Sequence, residues 1–273
     1  MTTGRDRILE EIGLGPTWRL RGRRAPVAPL VVDERVVDER TVDERVVDER
    51  AAEARGAYMA SPSTAGGAAA LPLDDRAARI AQLDWAALKS TVAGCTACPL
   101  CKTRTHTVFG VGDEQAEWMM VGEAPGAEED ARGEPFVGQA GRLLDNMLSA
   151  VGLKRGANVY IANVLKCRPP GNRNPEPFEV GQCGPHLVRQ IALIRPKLIL
   201  AMGRFAAQTL LGTDASIASL RGRLFQYQGV PLIVSYHPAY LLRTLPDKAK
   251  AWEDLCFART TMKALKTSGV PPS

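Results

Sequence analysis

The rhythm of apolar and polar positions divides this 273-residue chain in two. Through residue 75 no steady rhythm exists. Residues 8–20 (ILEEIGLGPTWRL) can form a short helical turn ending at Gly13 or Gly15, and Arg19, Arg21, Arg23 and Arg24 follow as a basic cluster. A pentapeptide array, VVDER VVDER TVDER VVDER, then runs from Val31 to Arg50. A period of five matches neither the helical 3.6 nor the strand period of 2, so no apolar face persists along it. It reads as a solvated, low-complexity spacer, and the Ala/Gly/Ser/Pro-rich residues 51–75 continue it as a linker. Residues 1–75 are therefore expected to be a disordered tail. Within it, residues 8–24 are either a plain loose end or a docking peptide for a protein partner, anchored by Trp18 and Leu20.

From about Leu73 the pattern changes. Ile80, Leu83, Leu88 and Val92 recur at helical spacings and predict an amphipathic helix over residues 76–92. Four apolar runs, 118–122, 159–165, 198–202 and 232–236, predict strands, and residues 141–151, 179–193 and 205–211 predict helices between them. Strands alternating with helices imply an α/β domain over 76–270, with a parallel sheet covered on both faces. In such a sheet ligands bind at the carboxyl ends of the strands.

Charge adds an asymmetry. Residues 1–75 hold 11 Lys+Arg against 14 Asp+Glu, net −3; residues 76–273 hold 24 against 16, net +8. A basic domain suits a polyanion such as nucleic acid, although many basic domains bind none. No run of eighteen apolar residues offers a membrane span, and the charged N-terminus lacks the apolar stretch of a secretory signal. The expected location is the cytoplasm, nucleoid-associated in a bacterium. In that reducing setting the six cysteines are not read as a disulfide framework. Cys95 and Cys98 form a CxxC pair, and Cys167 and Cys183 flank a loop rich in Pro, Gly, Asn and Arg. Such a set can hold zinc or an iron–sulfur cluster. Spacing does not choose between them, and Cys101, which extends the pair to CxxCxxC, leaves the ligand set open. Cys256 reads as a free cysteine in a C-terminal helix.

Candidate chemistry clusters at the predicted strand ends. Val121-Gly-Glu-Ala-Pro-Gly-Ala-Glu-Glu-Asp130 turns sharply after the first strand and crowds carboxylates there; Phe136, Val137 and Gly138 follow. No Walker-type GK[ST] is present, so this is not a nucleoside triphosphate cradle. The second strand leads through Asn163 to Lys166-Cys167-Arg168-Pro169-Pro170-Gly171-Asn172-Arg173. An Asn at a strand tip can read a nucleobase edge, because its amide donates and accepts side by side. The last strand ends in Ser235-Tyr236-His237-Pro238-Ala239-Tyr240-Leu241-Leu242-Arg243, where a His is well placed for electrostatic or proton work.

Together, GEAPGAEED, PFVGQAGRLLD, NVLKCRPPGNRNP and HPAYLLR resemble the motifs of family 4 uracil-DNA glycosylases, the iron–sulfur type, over roughly residues 80–265. The resemblance implies a three-layer α/β/α sandwich around a four-stranded parallel sheet. It implies a 4Fe–4S cluster on Cys95, Cys98, Cys167 and Cys183, with Cys101 outside the ligand set. The cluster's expected task is to pin the RPP loop near DNA rather than redox catalysis. It implies hydrolysis of the N-glycosidic bond of a deoxyuridine flipped out of single- or double-stranded DNA, leaving an abasic site.

Phe136 is then expected to stack on the base, Asn163 to bond its Watson–Crick edge, and His237 to donate to uracil O2 as charge builds there. Ala124 stands where the best-known uracil glycosylases carry a water-aligning Asp, which this family lacks. Glu123 is the candidate for orienting water or stabilising the sugar cation, and Glu129 for shaping the wall against a thymine methyl. Lys166, Arg168 and Arg173 are expected on phosphates. Leu241, Leu242 and Arg243 are expected to fill the gap left by the flipped base and hold the strand. A related branch bonds covalently to DNA through a His in an Arg-rich insertion; KCRPPGNRNP carries no such insertion, so turnover rather than a covalent trap is expected; the chain is expected to act as a monomer. The alternatives are an iron–sulfur nucleic-acid-binding protein without catalysis, a glycosylase for other deaminated bases such as hypoxanthine or xanthine, and a zinc module.

Overall fold

The structure, a computed structural model, describes residues 73–267. The expectations for the first 72 residues, including the VVDER spacer and the docking peptide, lie outside the described residues. The chain enters through two short helices, α1 (Leu73–Ala81) and α2 (Trp85–Ala93), rather than the single predicted one. Asp84 explains the break, because its side chain accepts the Ala87 N–H at 2.8 Å and starts a new helix.

A 3-10 turn (Pro99–Lys102) precedes β1 (Val111–Gly112), β2 (Trp118–Gly122), α3 (Ala127–Arg132), α4 (Gln139–Ala150) and β3 (Val159–Asn163). A second 3-10 turn (Pro170–Asn172) leads to α5 (Pro177–Ile194), β4 (Leu198–Met202), α6 (Arg204–Leu211), α7 (Ile217–Leu220), β5 (Leu224–Tyr227) and β6 (Val230–Ser235). α8 (Pro238–Arg243), a 3-10 turn (Leu245–Asp247) and α9 (Lys248–Thr267) complete the described chain.

The sheet order is β1-β3-β2-β4-β6-β5. The inner four strands, β3-β2-β4-β6, are parallel, as expected. Two antiparallel edges, β1 on β3 and β5 on β6, raise the count to six. β1 is only two residues long, and β5 is half exposed, so neither shows a buried apolar run. The predicted strand over 159–165 stops at Asn163. Val164 and Leu165 instead donate their N–H groups to the carbonyls of Gly122 and Glu123, at 2.9 and 3.0 Å. These two bonds weld the exits of β2 and β3 together.

Alternate residues of each inner strand enter two apolar layers. Trp118, Met120, Val159, Ile161, Leu198 and Leu200 pack on α4, α8 and α9. Met119, Val121, Tyr160, Ala162, Ile199 and Ala201 pack on α5, α6 and α7. With helices on both faces, the three-layer sandwich follows from the strand period of two. The connection leaving β2 leads to one side of the sheet and that leaving β4 to the other. Their carboxyl ends therefore open a crevice at a topological switch point, where ligands bind in such sheets.

Candidate active site

Glycine at 122 lets two side chains converge at the crevice. A Cβ there would lie 2.5 Å from Asn163 Oδ1 and 2.7 Å from the Phe136 ring, so no larger residue fits at the end of β2. Asn163, at the tip of β3, is 2% exposed and its Oδ1 has no partner among the described residues. A buried amide left unsatisfied is costly, and it marks the position where a ligand edge would bond.

Phe136 sits in the left-handed backbone region, with φ of 55°. That conformation is unfavourable for a non-glycine residue and persists only where its surroundings impose it. Here Arg155 clamps the carbonyls of Pro135 and Phe136 at 2.9 and 2.8 Å. Glu129 accepts the N–H groups of Val137 at 3.0 Å and of Gly126 at 3.2 Å, tying the turn after β2 to the Phe136 turn. A Cβ at Gly141 would run into the Phe136 carbonyl oxygen, so the start of α4 is glycine for the same reason.

His237 follows β6. Its Nδ1 accepts the Ala239 N–H at 3.1 Å and caps α8. The proton of the neutral ring is thereby placed on Nε2. Burial pushes the His237 pKa down to about 4, against a smaller opposing influence of the Glu129 carboxylate, so the imidazole is neutral at pH 7. Its ring stacks on Phe136 with centroids 5.4 Å apart and planes 29° from parallel. Gly203, at the end of β4, permits this approach: a Cβ there would lie 2.9 Å from His237 Cβ.

Glu123 is half-buried at the exit of β2. Burial raises its pKa to about 7, and the positive charge of Arg204 partly opposes the rise. Glu123, Ala124, Glu129, Phe136, Asn163 and His237 all line one open cleft of about 430 Å³, within the range of ordinary ligand pockets.

A second, more enclosed cavity lies behind this cleft. Cys95, Cys98, Cys167 and Cys183 all border it, and Cys101 and Cys256 do not. Among the described residues no three His, Cys, Asp or Glu side chains close on one point as ligands of a single ion. The four cysteines instead surround a space. Several N–H donors are directed at their sulfurs: Arg104 at 3.2 Å from Cys167 Sγ, the Lys166 backbone at 3.2 Å from Cys183 Sγ, and Arg76 at 3.6 Å from Cys95 Sγ. Ala124 lines the open cleft and also packs against the Leu100–Leu165–Cys167–Cys183 cluster, so the two sites share a wall.

Residues 109–256 match the family described as the uracil DNA glycosylase superfamily. This chain belongs to that superfamily. Its relatives place it in the type-4 branch. It is 49% identical over 159 residues to a type-4 uracil-DNA glycosylase of Archaeoglobus fulgidus, which covers 55% of this chain and 79% of that one. It is 42% identical over 176 residues to the type-4 enzyme of Thermotoga maritima, covering 63% and 91%, and 41% identical over 183 residues to that of Pyrobaculum aerophilum, covering 64% and 93%.

The rim of the superfamily's cleft is where sequence expectation and structure part. Lys166 does not face a phosphate. It is 1% exposed, and its Nζ donates to the Asn163 carbonyl at 2.8 Å and to Gln190 Oε1 at 2.7 Å. Burial lowers its pKa to about 8. Its place is under the tip of β3, holding the Asn163 backbone. Leu241 is likewise not a wedge: it is 1% exposed and belongs to the core, while Leu242, the next residue, is 38% exposed.

Arg173 lines the cleft, but its guanidinium grips the buried Glu179 carboxylate of α5 through two bonds of 2.9 and 2.6 Å, so its charge is committed to a tie between the loop and that helix. Arg168 bonds Asn172 Oδ1 at 2.8 Å within the same loop, and Arg243 is exposed. Sequence reasoning missed Arg204, which follows Gly203 at the carboxyl end of β4. The strand-end rule that found the other tips would have found it. It also missed Leu245, 58% exposed just past α8, because an isolated leucine carries no signal of its exposure.

Proposed function

We propose that this chain excises uracil from DNA through the strand-end cleft, hydrolysing the N-glycosidic bond of a flipped deoxyuridine and leaving an abasic site. The observation that carries the reading is the buried, unpartnered Asn163 amide oxygen beside Phe136 and His237. With the amide edge turned to the base, Oδ1 accepts from uracil N3–H while Nδ2 donates to O4. Cytosine offers the opposite polarity at both atoms. Since His237 covers one face of Phe136, the base stacks on the side of the ring that borders the cleft.

Bond cleavage leaves positive charge on the sugar and negative charge on the departing uracil. Nε2–H of neutral His237 donates to O2 as that charge develops, which is electrostatic stabilisation from a fixed donor. Glu123, half ionised at its pKa of about 7 and ionised above it, orients the attacking water or faces the sugar cation as the carboxylate. Ala124 cannot perform that task and forms wall. Glu129, pinned by the backbone N–H groups of Gly126 and Val137, shapes the side that rejects a thymine methyl. Arg168 and Arg243 serve the phosphates, and Leu242 fills the gap in the stack. Every group assigned here comes from one chain, so a monomer suffices, acting on cytoplasmic DNA in single- or double-stranded form. No helix among the described residues is long and apolar enough to cross a membrane.

The four-cysteine cavity fits a 4Fe–4S cluster, with Cys95, Cys98, Cys167 and Cys183 as ligands and N–H donors already directed at three of the sulfurs. When bound, the cluster supplies a cross-link between the Cys95–Cys98 segment, the exit of β3 and helix α5. The loop bearing Arg168, Asn172 and Arg173 lies between two of those ligands.

Labelled DNA containing uracil, incubated with iron-loaded protein and then treated with alkali, should break at the uracil position. Asn163→Ala should lower turnover by about 10²–10³, and His237→Ala by a similar factor, with iron content unchanged. Iron-loaded wild type that leaves uracil-containing DNA intact would overturn the reading.

A further inference from the structure

The four-cysteine cavity borders a polar atom, His186 Nδ1, that neither the fold nor the reaction uses. His186 lies on α5, three residues after Cys183 and therefore on the same helical face. It is 1% exposed and borders the cavity. Its Nε2 lies 3.0 Å from an Arg76 guanidinium nitrogen. A guanidinium has only donors, so Nε2 must accept, and the ring proton resides on Nδ1. Nδ1 is buried with no partner among the described residues. The structure thus fixes an N–H donor at the cavity wall and leaves it without an acceptor. Of the other lining residues, Val92, Leu100 and Leu165 are apolar and Arg104 is itself a donor; Gln182 and the four cysteine sulfurs are acceptors, and none of them is bonded to Nδ1.

We propose that His186 donates a hydrogen bond through Nδ1–H to a sulfur of the cluster, and that Arg76 sets this tautomer. The inference rests on the cluster reading above and assigns a residue beyond the four ligands. The remaining Arg76 contacts agree with it. The same guanidinium reaches the Gln182 carbonyl at 2.6 Å and Cys95 Sγ at 3.6 Å, so it joins α1, α5 and the CxxC segment around one imidazole. Hydrogen bonds to cluster sulfurs stabilise the electron-rich cluster and tune its potential. His186 is a positioning and tuning residue, since it lies outside the uracil cleft.

The test uses the iron-loaded full chain. In protein labelled with 15N-histidine, pulsed electron paramagnetic resonance of the dithionite-reduced cluster should show coupling to an imidazole nitrogen, and His186→Gln should abolish it. A reduced wild-type cluster without imidazole coupling overturns the inference. An independent readout is the loss of visible cluster absorption under ferricyanide. His186→Leu should lose its cluster about tenfold faster than wild type, the size expected for a hydrogen bond to a charged acceptor. His186→Gln, which keeps an N–H donor, should fall near wild type. Equal rates for all three proteins, or equal acceleration in both variants, overturn the inference. Colourless, iron-free wild type would instead remove the cluster reading on which it rests.

Discussion

The floor and the rim of the cleft are built on different principles. The floor consists of Glu123, Phe136, Asn163 and His237: Glu123, Asn163 and His237 stand at or just beyond strand ends, Phe136 stands in the turn between α3 and α4, and hydrogen bonds to backbone groups hold all four. Gly122, Gly141 and Gly203 clear space for it, Arg155 and Glu129 hold the unfavourable Phe136 conformation, and the Ala239 N–H orients His237. The rim consists of a loop at 168–174 and of α8 with the turn after it. Its tethers are side chains: Arg173 to Glu179 on one side, and the Tyr240 hydroxyl, donating to Asp247 Oδ2 at 2.5 Å, on the other. A floor fixed by backbone can discriminate between bases differing by one group. A rim presenting Leu242, Arg243 and Leu245 to solvent, with Arg168 half-buried beside it, has no enclosed surface on which to sort single bases.

The largest effect that separates the two regions comes from Gly122→Ala. The added methyl would meet Asn163 Oδ1 and the Phe136 ring at distances that force both to move. Displacing a recognition group by about 1 Å can cost on the order of 10²-fold in rate. The loss should be equal on single- and double-stranded uracil DNA, measured as kcat/KM for each, and the iron content should not change. A loss confined to duplex DNA would show that the floor also senses the polymer, and the distinction drawn above would fail.

The floor was legible in the sequence and the rim was only half so. Asn163 and His237 stand in motifs whose chemistry and strand-end positions agree, so the strand pattern pointed to both; Phe136 lies between α3 and α4, away from any strand end, and only the family resemblance singled it out. The motifs KCRPP and HPAYLLR, in contrast, mix buried and exposed residues one position apart. A lysine in a basic loop reads as a phosphate contact, yet Lys166 turns inward to Gln190 and the Asn163 carbonyl. Two adjacent leucines read as one wedge, yet they point to different sides of α8. Burial at this resolution depends on tertiary partners far along the chain, such as Gln190 and α9, which no local pattern contains. The edge strands escaped for a related reason: one is too short and the other too exposed to carry an apolar signature.

An intermediate effect concerns the charge of the floor. Glu123 has its pKa raised to about 7 by burial. If the carboxylate is the working form, kcat on single-stranded uracil DNA should rise about tenfold between pH 6 and pH 8. His237, neutral above its pKa of about 4, contributes nothing to that rise. Glu123→Gln should flatten the profile. The sign for stability is opposite. Because the folded pKa lies above the ordinary carboxylate value, ionisation disfavours the fold progressively as pH climbs toward 7. Glu123→Gln should therefore be more stable than wild type at pH 8, by about 1–2 kcal/mol after allowance for solvent screening, and not at pH 4. A pH-independent rate in wild type would move the water-orienting role away from Glu123.

The smallest effect on activity is expected at the rim, and it tests the residue-by-residue reading of α8. Leu242→Ala removes an exposed side chain, so thermal stability should change by less than about 0.5 kcal/mol. Activity should fall a few-fold on duplex DNA, where the flipped base leaves a gap to fill, and stay near wild type on single strands. Leu241→Ala should behave inversely. Truncating a fully buried leucine costs about 2–5 kcal/mol, and any loss of activity should follow unfolding equally on both substrates. The pair differs in side-chain direction alone, with the same residue type and adjacent positions. If Leu241→Ala were the variant with a duplex-selective defect and unchanged stability, α8 would have to turn over when DNA binds, and the rim would be a moving part rather than a fixed edge.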